Sequence, residues 1–141
     1  MSKVRQKKIS APEAMIYAML TASAVDRVIK DTELAIIGSV VKHLPVFAGF
    51  DIERIGATAA ACTVILRGNN GFKTVLDLIE RHVPAHLIET TFALAVEVVA
   101  ADDVVHLEEV RFLDLLAEKF DVDELFVAAV KRSAEARYRL S

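Results

Sequence analysis

The chain has 141 residues, a net charge of −3, 54% hydrophobic residues and a mean hydropathy of +0.39. Those values fit one globular domain with its own core and exclude a chain that is disordered throughout. A lone cysteine, Cys62, excludes a disulfide framework within the chain and makes a reducing cytoplasm the expected compartment.

Residues 1–9 read as a basic flexible arm. Lys3, Arg5, Lys7 and Lys8 crowd into it with no acid among them. All 20 acidic residues therefore fall in the helical domain expected over 10–141, and an acidic body argues against nucleic acid as a partner. The arm lacks the apolar core of a secretory signal. Its commonest role is a solvated terminus, although an acidic partner or a membrane surface would also attract it.

A first helix opens at Ser10 and Glu13, an S-x-x-E capping box with Pro12 in the first turn, and is expected to reach about residue 25. A second is expected over about 32–43, stopping before Pro45. Asp51 reads as the N-cap of a third helix that ends at Gly68. The stretch "GNNG", residues 68–71, is a turn. A fourth helix follows over about 72–81, closed by Pro84, then a fifth over about 85–101 and a sixth over about 107–119. Asp121 with Glu124 reads as another capping box, opening a seventh helix that reaches about residue 138. No period-two strand stands out; "CTVIL" leans towards β but continues an alanine-rich helical run. No apolar run approaches the roughly 20 residues of a membrane span, so an integral membrane protein is not expected.

The two halves match at an offset of 76 residues. Glu13 meets Glu89, Ile16 meets Phe92, Asp26 meets Asp102, Glu33 meets Glu109 and Ile37 meets Leu113. "DIERI" at 51–55 meets "DVDEL" at 121–125 after a shorter loop. The expected fold is all-α: a single bundle of about seven helices built from an internally duplicated three-helix unit, with the fourth helix as connector. The first and fifth helices are apolar nearly all round and should be central; the second, sixth and seventh are amphipathic and should lie outside.

Each repeat presents an aspartate at a helix end, two aliphatic residues and a glutamate in the next helix: Asp26, Val28, Ile29 and Glu33, then Asp102, Val104, Val105 and Glu109. The aliphatic pairs are expected to anchor the turns in the core. The acids have two readings. Turn aspartates and first-turn glutamates commonly bond backbone N–H groups and need no ligand. Alternatively, an internal near-twofold axis gathers the acids at one pole, where their repulsion favours a hard cation such as Ca2+ or Mg2+. The spacing is not that of an EF-hand.

The doubled turns, "ASAVDRVIKDTE" and "VAADDVVHLEE", resemble those of the TerB (tellurite resistance) family and of the N-terminal domain of DjlA-type co-chaperones, over about residues 11–131. The resemblance implies an all-helical, cytoplasmic, stress-response interaction module that works near the inner membrane with membrane-associated resistance proteins. It implies no organic cofactor. It places metal ligands at Asp26, Glu33, Asp102 and Glu109. Family members carry glycine directly after the aspartate; this chain has Arg27 and Asp103 there, and Arg27 can neutralise its own neighbour.

Other candidates weigh less. His82 and His86 have zinc spacing, but Pro84 between them breaks the helix. His106 sits beside Glu108 and Glu109 and reads best as a residue near a helix N-cap. Cys62 follows three alanines and reads as a buried apolar residue rather than a nucleophile. Lys131, Arg132, Arg137 and Arg139 make the last helix basic on one side, usually a solvated face, otherwise a dock for an acidic surface. The expected function is a non-enzymatic interaction module with a divalent-cation site. The alternatives are a metal-dependent enzyme that uses the same carboxylates and a structural adaptor without metal.

Overall fold

The computed structural model describes residues 8–24, 29–102 and 105–141. Among them are seven α-helices and no strand: α1 (Ala11–Ser23), α2 (Asp31–His43), α3 (Ile55–Arg67), α4 (Gly71–His82), α5 (Ile88–Ala100), α6 (Leu107–Lys119) and α7 (Glu124–Arg137). Short 3-10 turns at Pro45–Phe47, Ile52–Arg54 and Ala85–Leu87 lead between them. No helix among the described residues is long and apolar enough to cross a membrane.

Helix ends follow local chemistry. Ser10 and Glu13 form the expected box: the Glu13 N–H donates to Ser10 Oγ at 3.2 Å, and the Ser10 N–H donates to Glu13 Oε1 at 3.0 Å. α1 ends at Ser23; residue 25, its expected end, lies outside the described residues. Asp51 caps the 3-10 turn that precedes α3 rather than α3 itself, accepting from the Glu53 N–H at 3.0 Å. The fifth helix likewise begins as a 3-10 turn at Ala85 before settling into α5.

The expected box at Asp121 and Glu124 does not form. Asp121 has φ +49, and the Val122 N–H reaches Ala117 O while the Asp121 N–H reaches Glu118 O. This is a Schellman motif that closes α6, with Asp121 at its left-handed position. Asp123 takes over as N-cap of α7 and accepts from the Phe126 N–H at 3.2 Å.

Between α3 and α4, Asn70 adopts φ +57 and the chain turns so tightly that a Cβ on Gly71 would come within 2.8 Å of Leu66 backbone atoms. Only glycine fits there. The close approach packs α4 directly against α3.

α1 and α5 form the centre, as their composition predicts. α1 is buried from Ala14 to Ser23, and α5 buries Thr91, Phe92, Leu94, Ala95, Val96, Val98 and Val99. They pack on each other, and α2 and α6 each touch both. α3 leans on α1 as α7 leans on α5. This exchange of partners is the near-twofold pattern expected of a duplicated unit. α4 additionally covers α1, α3 and α6.

Candidate functional site

α2 and α6 both start with a glutamate at the third position, Glu33 and Glu109, and both glutamates turn inward. One oxygen of each does what the capping reading expects. Glu33 Oε1 accepts from the Lys30 N–H at 2.9 Å, and Glu109 Oε1 accepts from the His106 N–H at 2.7 Å. These bonds satisfy N-terminal amides that the helices leave open.

Capping alone does not require burial, yet Glu33 is 9% exposed and Glu109 only 2%. Charged residues are almost never buried unless paired. Among the described residues neither glutamate takes part in an ion pair. Ser23 lines the same cavity as Glu33, but its hydroxyl donates to Met19 O at 3.1 Å and Leu20 O at 3.2 Å. The second oxygen of Glu109, Oε2, is buried and has no hydrogen-bond partner among the described residues.

The two acids and Asp102 lie within electrostatic reach of one another. Burial raises the pKa of Glu33 and of Glu109 above the usual carboxylate range, the nearby Asp102 charge raises both further, and Glu33 adds to the effect on Glu109. The turn after α5 and the first turns of α2 and α6 therefore meet at one end of the bundle. A small cavity of about 190 Å³ opens there between Ser23, Glu33, Ile36, Val98 and Asp102.

No family model, curated protein or solved structure matches the chain.

Of the four acids that the sequence picks out, Glu33, Asp102 and Glu109 share this pole. Asp26 lies outside the described residues, as do Arg27 and Asp103, which replace the expected turn glycines. Among the described residues no three acidic, histidine or cysteine side chains converge at metal-holding spacing. The fit to a hard cation therefore lies in the all-oxygen donor set and in the orphaned oxygen of Glu109, not in a completed cage.

The remaining candidates take ordinary places. His106 is the N-cap of α6 and acts through its backbone N–H. His82 ends α4, while His86 lies beyond Pro84 in a 3-10 turn. Cys62 is buried, 3.8 Å from Thr21 Oγ1, and burial pushes its thiol up to about 12, so it is not a nucleophile. Two of the bases on α7 are engaged within the fold: Lys131 pairs with Asp114 at 3.3 Å, and Arg137 donates to Glu97.

Sequence reading gave Glu97 no role. It is the only charged residue in the interior stretch of α5, and it accepts from both Arg137 and the Tyr138 hydroxyl of the last helix turn. A single acid in an otherwise apolar helix was the available signal.

Proposed function

We propose that this chain is a non-enzymatic interaction module of the TerB-like, stress-response type, whose acidic pole binds a divalent cation, Ca2+ or Mg2+. Glu33, Asp102 and Glu109 supply carboxylates, and Asp26, the repeat counterpart of Asp102, supplies the fourth. The observation that carries the reading is the Oε2 of Glu109: a buried carboxylate oxygen with no hydrogen-bond partner among the described residues, within electrostatic reach of Asp102 and Glu33. Such an atom costs roughly 1–3 kcal/mol unless something satisfies it, and a cation would do so while screening the mutual repulsion. On this reading bound cation holds the two repeats together at the pole. The protein acts in the cytoplasm, next to membrane-associated protein partners.

A thermal melt of the full chain with and without millimolar calcium or magnesium tests it. At ten times the dissociation constant, binding stabilises by about 1.4 kcal/mol. Asp102→Asn should remove most of the shift. A wild-type melting curve that neither ion moves would overturn the cation site.

A further inference from the structure

The duplicated fold is incomplete in one respect. Exchanging the repeats maps α1 onto α5, α2 onto α6 and α3 onto α7. α4 packs on α1, α3 and α6. Its counterpart would pack on α5, α7 and α2, and among the described residues no helix lies there. That place is an open groove of about 810 Å³. Ala93 and Leu94 of α5 form its floor, with Ile36 and Val40 on the α2 side and Phe126 and Val130 on the α7 side.

Burial shows the same gap. Under α4, α3 buries Ile55, Thr58, Ala59, Cys62 and Leu66. α7 buries Ala134 alone among its described residues, and Ala129, on the groove wall, is exposed. The charges also match. α4 is held at its solvent edge by Lys119, the last residue of α6, which pairs with Asp77 at 3.4 Å and Glu80 at 3.8 Å. The last residue of α2 is His43. It lines the groove, and exposed Lys42 stands next to it. The α2 rim thus takes its fixed positive charge from Lys42, beside the groove, where α6 places Lys119 itself.

We propose that this groove receives one amphipathic helix from a partner protein. The helix is about three turns long, carries apolar residues at the spacing of Val75, Leu76, Leu78 and Ile79 in α4, and places acidic residues against His43 and Lys42. The proposal rests on the interaction-module part of the function above and is independent of the cation.

The test uses the helix that already fits the equivalent seat. A fluorescent peptide with the sequence of residues 69–83 is titrated into the full chain, in chelator and again in calcium, and followed by anisotropy. Saturable binding is expected in both buffers, together with slowed amide exchange in α2, α5 and α7 of the wild-type chain. Ala129→Arg, a change at an exposed position, should weaken binding by about tenfold or more. His43→Glu, or a peptide with Asp77→Lys and Glu80→Lys, should weaken it several-fold. Absence of saturation, protection elsewhere, or an affinity indifferent to Ala129→Arg overturns the proposal. So does a dimer of the unmodified chain in sedimentation that Ala129→Arg dissolves, because the groove would then belong to a second copy. The calcium melt fails or succeeds separately and reports only on the acidic pole.

Discussion

At the first position of the matched pair Ser23 and Val99, the repeat supplies a hydroxyl; at the second it supplies a methyl group. The Ser23 hydroxyl is spent on Met19 O and Leu20 O, and of the two glutamates only Glu109 has a buried side-chain oxygen without a hydrogen-bond partner among the described residues. The two glutamates were legible in the sequence because they recur at one spacing. Their burial was not, because most glutamates at the third helical position lie in solvent. Glu109→Gln removes the charge while keeping an oxygen that can accept from the His106 N–H. In chelator at neutral pH the variant should be more stable than wild type by about 1 kcal/mol, and it should no longer respond to calcium. Chemical denaturation with and without the ion measures both. An equal loss of stability in the two conditions would show that the carboxylate serves only as a cap.

Among the elements, sequence reading was accurate wherever an end is decided by local chemistry. α6 spans the expected residues, and α1 starts at its box. It failed at the α6–α7 corner because two aspartates compete for one role. Asp121 and Glu124 have the spacing of a capping box, but the chain needs a left-handed residue to leave α6, and Asp121 is used for that. Aspartate tolerates the left-handed region better than most residues and glycine better still. Asp121→Gly should therefore stabilise by about 0.5 kcal/mol, whereas Asp123→Ala should destabilise by about 1 kcal/mol through loss of the cap. Urea denaturation of the two variants distinguishes the roles. If Asp121→Gly costs as much as Asp123→Ala, the assignment of the cap is wrong. The 3-10 leads into α3 and α5 were illegible for a different reason: they satisfy the same capping preferences as an α-helix start.

For the whole molecule, the duplication brings two buried glutamates and Asp102 to one pole, and this couples stability to pH. Glu33 and Glu109 titrate higher in the folded chain than in the unfolded one, chiefly because burial disfavours their charge. The folded state then holds more protons than the unfolded state between the two values. Their contribution to stability is present below the unfolded value and is lost as pH rises through the folded one. Without cation, these two groups make the chain more stable at about pH 5 than at about pH 7.5. Other carboxylates contribute a slope of their own, so the quantity to measure is the difference between wild type and the Glu33→Gln, Glu109→Gln double variant. At the proposed cation site calcium should reverse the wild-type trend, because it would bind the deprotonated acids and compete with the protons. The calcium-induced rise in melting temperature should therefore be large at about pH 7.5 and should vanish towards about pH 5. A calcium shift of the same size at both values would mean that the ion binds somewhere other than the buried glutamates, and the two acids would then serve as internal caps that fold the repeats together.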